Sequence, residues 1–356
     1  MSAETSVGTG RNTAIDAAKT AAIFGTLMIH ASANGGFAWP VGSARWIAAL
    51  FWGCLLRCAV PVFLMCSGAL LLAPEKRVTI GGIYKKYIPR ILAALFFWAA
   101  AYSAWSLLGV KLHTGVLEAA ALKKALVDLV TFRHKSHLYY LHITLLVYAL
   151  VPVSRLFAAR ADRKLMGYAL GLWFVLGSVL PCVQTLPPFS LITGIPRQYL
   201  INLTWGGVGY GLLGYALLKE APRRKPRFFA AVFGLGFLLT FAGTLAVSLR
   251  QGALYQDLIQ GYAPGVVLQA AGLFGWCVSR YAQSPAPAAC ETVSKASFCI
   301  YLVHLFPLDL LAARGLSAGF YHPAWAVPVL CAVLFACGFA VWLVLRRIPV
   351  VRKYLI

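Results

Sequence analysis

Residues 16–30 read DAAKTAAIFGTLMIH, an apolar stretch with a lysine near one end and a histidine at the other. Lys19 and His30 are eleven residues apart, which at 3.6 residues per turn places both side chains on one face of a helix. Those eleven residues rise by about 16 Å, over half of a hydrocarbon core about 30 Å thick. The stretch therefore predicts a membrane helix with a cation near one surface and an imidazole towards the other. Asp16 joins the same face.

Two other interpretations of this stretch stay open. A lysine at the end of a span often snorkels to the headgroups, and a histidine at the other end often contacts interfacial water. The following residues Ala-Ser-Ala, at 31–33, imitate a signal-peptidase site, and cleavage there would remove His30. Cleavage is disfavoured because the preceding apolar segment is weakly hydrophobic and the region before it carries acidic residues.

The composition excludes a soluble protein. Of 356 residues, 60% are hydrophobic and only 12% are charged. In soluble domains about half of the residues are apolar and about a quarter are charged. A formal net charge of +22 would favour nucleic acid in a soluble protein, but here the cations lie in short loops between apolar segments, where they set orientation. The nine cysteines fall mostly inside apolar segments without metal-ligand spacing. We expect no nucleic-acid partner and no metal site.

The apolar segments predict an all-α, polytopic transmembrane bundle of about ten helices. When the loops are assigned to alternating sides, 22 of the 32 Lys and Arg residues lie on the side of the N-terminus and nine lie opposite, so both termini should be cytoplasmic. We expect a cytoplasmic tail at 1–13, a transmembrane domain at 14–345 and a second cytoplasmic tail at 346–356. A mildly amphipathic stretch at 116–130 predicts a helix on the membrane interface. The ten segments lie at about 15–33, 45–73, 88–110, 137–158, 165–186, 198–218, 228–248, 257–278, 295–313 and 324–345.

Several polar residues lie within these apolar segments, where each needs a reason. Arg57 in RCAVPVFLMCSG costs about 2.5–3.5 kcal/mol at a span centre if unpaired, so it should face a polar interior, either as a functional cation or as a tie to another helix. Pro61, one turn on, frees a backbone carbonyl. His304 in FCIYLVHLFPLD is near mid-span, and a buried, hydrogen-bonded histidine is its simpler interpretation.

Other polar residues start the fourth and sixth segments at the outer level. His137 lies level with His30, and Tyr139 and Tyr140 follow it, a pair that is also typical of an interfacial aromatic belt. Asn202 and Trp205 begin the sixth segment, whose glycines favour close helix packing.

Three motifs in order resemble acyltransferase family three, membrane O-acyltransferases that modify glycans and lipids. They are K-x10-H at Lys19 and His30, R-x3-P-x-F-x3-S-G from Arg57 to Gly68, and HLYY at 137–140. The basic run YKKYIPRI at 84–91 stands where the family has arginines before its third span, and GYGLLGYALL and IYLVHLF fit later helices. The chain differs from the family in three respects: lysine replaces the frequent arginine at position 19, Tyr139 replaces a tryptophan, and the spacing of the basic pair is altered.

The resemblance implies that residues 14–345 form an acyltransferase domain that moves an acyl group, commonly acetyl, from cytoplasmic acyl-CoA to a hydroxyl of an extracytoplasmic glycan or lipid-linked sugar. Acyl-CoA is then a substrate, no cofactor is tightly bound, membrane lipids are partners, and the inner (plasma) membrane of a bacterium is the expected location. His30 acts as general base or acyl carrier, since the ordinary pKa of an imidazole, about 6.5, suits proton transfer at neutral pH. Arg57 or a tyrosine hydroxyl could stabilise the oxyanion.

The predicted site residues fall into three groups. The catalytic group is His30, Arg57 and Lys19. The group that binds acyl-CoA is Lys19, Lys85, Lys86, Arg90 and Ser67. The group that binds or supports the acceptor is Asp16, His137, Tyr139, Tyr140, Asn202, Trp205 and His304.

Two other functions stay open. A proton-coupled transporter or flippase would use Arg57, His30 and His304 for an anionic or glycan substrate, although no internal repeat supports it. A structural membrane subunit would lose only stability on changing these residues.

Overall fold

A computed structural model describes residues 11–356, and this part of the chain is helical without a β-strand. Short 3₁₀ turns connect several helices, and single π turns interrupt α4 at Ile83–Tyr87 and α7 at Val175–Val179. The helices are α1 (Thr13–Ala33), α2 (Ala44–Leu55), α3 (Ala59–Leu71), α4 (Ile80–Thr114), α5 (Ala119–Val130), α6 (Tyr139–Arg160), α7 (Arg163–Val183), α8 (Leu203–Glu220), α9 (Pro226–Gln251), α10 (Pro264–Arg280), α11 (Ala288–Val303), α12 (Leu305–Ala312), α13 (Pro323–Leu345) and α14 (Pro349–Tyr354).

The number of membrane-spanning helices is partly settled. Seven helical segments of the described chain are long and apolar enough to cross a membrane, or eight if the bent pair α11 and α12 is one span. The helices α1 and α8 reach spanning length, with 21 and 18 residues, but their sequences are less apolar. The chain therefore has the architecture of a polytopic membrane protein, and the count of ten and the cytoplasmic side of both termini stay predictions.

Two predicted spans are broken at the residues of chemical interest. The segment 45–73 is interrupted at residues 56–58, so that Arg57 lies between α2 and α3. The segment 295–313 bends by 50° between α11 and α12, at His304. A proline follows each break, Pro61 after the first and Pro307 after the second. Proline has no backbone N–H, so it cannot form the helical hydrogen bond to the carbonyl four residues earlier. Residues 44–71 still count as one candidate span, and the bent pair can be another; the sequence did not predict the breaks inside them.

Close helix approach is confirmed for the glycine-rich α8. A Cβ atom on Gly68 of α3 would lie 2.1 Å from the main-chain oxygen of Gly211, and one on Gly214 would lie 2.2 Å from that of Met65. In α1, a Cβ on Gly25 would lie 2.7 Å from the Cβ of Leu56. The backbones of these helices thus touch, which brings the break that holds Arg57 against α1.

Two segments outside the predicted transmembrane helices are themselves helical. The amphipathic stretch at 116–130 forms α5, as predicted for a helix. The predicted tail at 346–356 contains α14 and packs on α4, because Trp98 Nε1 donates to the oxygen of Leu355 at 3.0 Å. Most of the predicted tail at 1–13 lies outside the described residues, and α1 begins at Thr13.

Candidate active site

Three histidines from distant parts of the chain meet inside the bundle. His30 comes from α1, His137 from the turn before α6, and His304 from the break between α11 and α12. Their ring centroids are 4.8 Å apart for His30 and His304, 5.4 Å for His137 and His304, and 6.4 Å for His30 and His137. We call these three residues the histidine cluster. The structure thus brings together the predicted base and two of the predicted supporting residues.

Three ring nitrogens of the two buried histidines lack hydrogen-bond partners among the described residues. His304 is fully buried, and its Nδ1 lies 2.6 Å from the main-chain oxygen of Tyr301, while its Nε2 has no partner. A bond to a carbonyl needs the proton on Nδ1, so in a neutral ring Nε2 carries the lone pair. Neither ring nitrogen of the buried His137 is paired. Because a buried unpaired polar group costs about 1–3 kcal/mol, such a concentration calls for a functional explanation.

His30 is the accessible member of the cluster. It is half-buried, whereas His137 and His304 are buried. No group of three or more His, Cys, Asp or Glu within residues 11–356 is arranged to hold a metal ion, so we do not interpret the cluster as a metal centre. A partly exposed imidazole backed by two buried imidazoles is suited to proton transfer.

Arg57 lies in the break between α2 and α3, within electrostatic range of His30. Its Nε donates to the main-chain oxygen of Ile259, which ties the break between α2 and α3 to the turn before α10. The terminal guanidinium nitrogens have no hydrogen-bond partner in the described part of the chain, and the side chain is half-buried. The charge of Arg57 is near enough to act on both His30 and Tyr139. Tyr139 as a residue is 42% exposed. Arg57 therefore ties two segments together and has unpaired donors within electrostatic range of His30.

A cavity of about 230 Å³ extends from the other end of α1 towards the histidine cluster. Four of the predicted site residues line it, namely Lys19, Ser67, Arg90 and Tyr140. We call it the cation-lined cavity. Its other lining residues are Phe63, Tyr87, Ile91, Thr144, Tyr148, Ser297, Phe298 and Tyr301.

Two tyrosines separate this cavity from the histidine cluster. The rings of Tyr140 and Tyr301 are 5.4 Å apart, and both line the cavity. The ring of Tyr301 is also 5.7 Å from that of His137 and 6.1 Å from that of His304, and its hydroxyl donates to the main-chain oxygen of His137. Tyr301 thus contacts both regions and forms part of the wall between them.

The cations of the cavity have few counter-charges. No carboxylate of the described residues lies within 4 Å of the ammonium of Lys19, because the neighbouring Asp16 accepts from Arg11 at 2.6 and 2.7 Å. This bond to Asp16 raises the pKa of Arg11 above its usual value. Asp16 is buried in this ion pair, outside the cavity lining, so its predicted supporting role gains no support from its position.

Beyond Arg90 the cavity is followed by a second, larger cleft of about 580 Å³, which we call the basic cleft. Arg90 belongs to the lining of both, and its Nη2 donates to the main-chain oxygen of Ile356 at 2.6 Å. The residues that line the basic cleft are Arg90, Lys295, Trp342, Arg346, Arg347, Arg352 and Ile356.

Four other predicted site residues lie away from these regions. Lys85 and Lys86 are exposed on the π turn of α4 and line neither the cavity nor the basic cleft. Asn202 is the N-cap of α8, where its Oδ1 accepts from the main-chain nitrogen of Trp205 at 3.1 Å. Trp205 is 54% exposed. The position of Asn202 has a local structural explanation, since an N-cap satisfies an otherwise free backbone donor.

Sequence reasoning missed several residues of the cavity. Thr144 and Tyr148 follow Tyr140 at intervals of four residues on α6, which is one helix face, and this spacing could have revealed them. Tyr301 lies three residues before His304, one turn away on the same side. The cations at 346, 347 and 352 gave no signal beyond their charge, which fits a membrane surface equally well.

One of the comparisons with known proteins gives a match. A family model described as an acyltransferase domain, acyltransferase family three, matches residues 12–345. No curated protein and no solved structure gives a significant match. The matched range includes α1 with Lys19 and His30, the break at Arg57 and the break at His304. The chain therefore belongs to acyltransferase family three.

Proposed function

We propose that the protein is a membrane O-acyltransferase that moves an acyl group, commonly acetyl, from cytoplasmic acyl-CoA to a hydroxyl of an extracytoplasmic glycan or lipid-linked sugar. One observation carries this proposal. A single helix, α1, contributes Lys19 to the cation-lined cavity and His30 to the histidine cluster. A donor held at one end can therefore present its thioester near a base at the other. A bacterial inner membrane is the location that this proposal implies.

The cation-lined cavity fits an acyl-CoA molecule in chemical character. Lys19 and Arg90 supply positive charge that attracts phosphate oxygens, and Ser67 offers a hydroxyl. The aromatic lining of Phe63 and Tyr148 suits the less polar arm that carries the thioester. Tyr140 and Tyr301 stand between the cavity and His30, so we expect their side chains to move when the thioester reaches the base.

The histidine cluster supplies the chemistry of transfer. The acceptor oxygen bonds to the thioester carbonyl carbon while its proton moves to the free ring nitrogen of His30. The terminal nitrogens of Arg57, or the hydroxyl of Tyr139, donate to the oxyanion that forms. Collapse of this intermediate breaks the carbon–sulfur bond, and His30 returns the proton to the departing thiolate. The products are an acyl ester and free CoA.

His304 can orient the base. Its Nε2 lone pair is unpaired, and its ring lies 4.8 Å from that of His30. A small shift would let Nε2 accept the other N–H of His30, which leaves the free nitrogen of His30 directed at the acceptor. An acyl-histidine on His30, formed before the acceptor binds, is the alternative route.

The test is transfer of a labelled acetyl group. Purified protein is incubated with labelled acetyl-CoA and candidate glycan or lipid-linked acceptors, and the label is followed in the wild type and in His30→Ala. We expect the variant to lose about 10²- to 10⁴-fold in rate, the usual contribution of a general base, while it unfolds at the same temperature. Transfer at an undiminished rate in the variant would refute the catalytic role.

Two further measurements separate the alternatives. Label that accumulates on the wild-type protein without acceptor, and not on His30→Ala, would identify the acyl-histidine route. Substrate that accumulates in reconstituted vesicles without release of CoA thiol would identify a transporter or flippase instead.

A further inference from the structure

The basic cleft brings together five cations from four parts of the chain. Arg90 comes from α4, Lys295 from α11, and Arg346 and Arg347 from the end of α13, while Arg352 lies on α14. All five belong to the side that the distribution of charge predicts to be cytoplasmic. With about 580 Å³, the cleft has more room than the adjoining cavity of about 230 Å³. It can accommodate a large polar group.

The charges of this cleft are mostly uncompensated. Lys295 pairs with Glu291 at 2.5 Å. No carboxylate of the described residues lies within 4 Å of Arg346, Arg347 or Arg352. Like charges that face one space repel each other, and an anion in the cleft relieves that repulsion. Arginine is the side chain best suited to phosphate, because its planar fork donates two parallel hydrogen bonds.

Part of the cleft is already held in place. The guanidinium of Arg346 lies 4.7 Å from the ring centroid of the buried Trp342, which restricts its orientation. Arg90 donates to the oxygen of Ile356 and Trp98 donates to that of Leu355, which fixes the segment after α14 against α4. These contacts give the cleft defined walls.

The basic cleft and the cation-lined cavity adjoin at Arg90. This residue lines both, and the cavity continues from it to Lys19 and to the tyrosine wall beside the histidine cluster. A single extended ligand can therefore have a polyanionic end in the cleft and a narrow arm in the cavity. Acyl-CoA has this shape and this distribution of charge, with a 3′-phosphate and a diphosphate at the nucleotide end and an uncharged arm.

We infer that the basic cleft binds the phosphorylated nucleotide of the acyl donor, and that Arg346, Arg347 and Arg352 determine its recognition. This inference rests on the proposed function. It assigns the nucleotide phosphates to other cations than Lys85 and Lys86, which lie outside the cleft lining and whose role stays a prediction.

The experiment compares two donors and a matched pair of variants. Rates of acetyl transfer are measured in nanodiscs of neutral lipid. The donors are acetyl-CoA and acetyl-dephospho-CoA, which lacks the 3′-phosphate. Arg352→Gln and the double variant Arg346→Gln, Arg347→Gln remove charge from the cleft. Lys353→Gln is the control, because it removes the same charge from the same helix outside the cleft lining.

We expect the arginine variants to raise KM for acetyl-CoA by about 10- to 100-fold with little change in kcat, as for a lost charged hydrogen bond. The preference of the wild type for acetyl-CoA over its dephospho form should shrink to the same degree, and Lys353→Gln should behave as the wild type.

Two outcomes would overturn this inference. If the arginine variants keep the wild-type preference for acetyl-CoA over its dephospho form, the cleft does not bind the 3′-phosphate. Effects that appear only in nanodiscs with anionic lipid would assign the cleft to a lipid headgroup, because juxtamembrane cations also bind such lipids. In both cases transfer by the wild type leaves the proposed function intact, whereas absence of transfer by the wild type, with binding of CoA retained, would refute the proposed function alone.

Discussion

The histidine cluster and the cation-lined cavity lie at opposite ends of α1 and differ in charge and in hydrogen bonding. The cluster consists of imidazoles without counter-charges, two of them buried, with three ring nitrogens that lack partners among the described residues. The cavity presents Lys19 and Arg90, charged side chains that can reach an incoming anion. Orphaned neutral groups suit a reaction in which a proton moves, whereas free cations suit the binding of an anionic substrate.

This contrast assigns different kinetic effects to the two regions. Changes in the histidine cluster should lower kcat, because they alter groups that act on the reacting atoms. Changes in the cation-lined cavity should raise KM for the donor, because they remove binding that is similar in ground state and transition state. The division of effects between kcat and KM therefore tests whether the two regions are functionally separate.

After His30 itself, His304 should show the largest effect. We expect His304→Asn to lower kcat about 100-fold with little change in KM, because the amide of asparagine can still donate to the oxygen of Tyr301 but offers nothing in place of Nε2. The measurement is the pH profile of kcat/KM for the wild type, His304→Asn and His304→Gln. We expect His304→Gln to recover part of the rate, since its longer side chain places a polar atom near the Nε2 position.

A structural role for His304 predicts something different. In that case His304→Asn, which keeps the bond to the backbone, would retain the wild-type rate and pH profile, and His304→Ala alone would unfold at a lower temperature. That pattern would confine the chemistry to His30.

A smaller effect is expected at the other end of α1. Lys19→Gln should raise KM for acetyl-CoA about 10- to 100-fold, which corresponds to the 1.5–3 kcal/mol typical of a charged hydrogen bond, and should leave kcat within a few-fold. Lys19→Arg, which keeps the charge, is the matched control and should recover most of the affinity. The two regions would not be separable if Lys19→Gln lowered kcat as strongly as the change at His304.

The sequence predicted the general architecture and the two ends of α1. Spacing along one helix is enough to align Lys19 with His30, and hydropathy is enough to find apolar helices. The family resemblance on the K-x10-H and Arg57 motifs is confirmed by the match over residues 12–345. The roles of the individual residues stay predictions.

The sequence could not show which distant residues meet. His137 and His304 are 167 positions apart, and their rings are 5.4 Å apart at the 50° bend between α11 and α12. Cations at the membrane surface present the same difficulty. Lys85 and Lys86 looked as suitable for phosphate as Arg346 and Arg347, and helix packing alone decides which of them line a cleft.

The smallest effect concerns Tyr301, which contacts both regions. Its hydroxyl donates to the main-chain oxygen of His137, so Tyr301→Phe leaves a buried carbonyl without this donor and loosens the turn that positions His137. We expect a loss of about 1 kcal/mol, or about fivefold in kcat if it acts entirely through the position of His137. Thermal unfolding measures the loss of stability, and steady-state kinetics measure the loss of kcat. Tyr168→Phe, at an exposed tyrosine of α7, is the control. A rise in KM without a change in kcat would instead place Tyr301 with the cavity, because its ring would then serve the donor rather than the cluster.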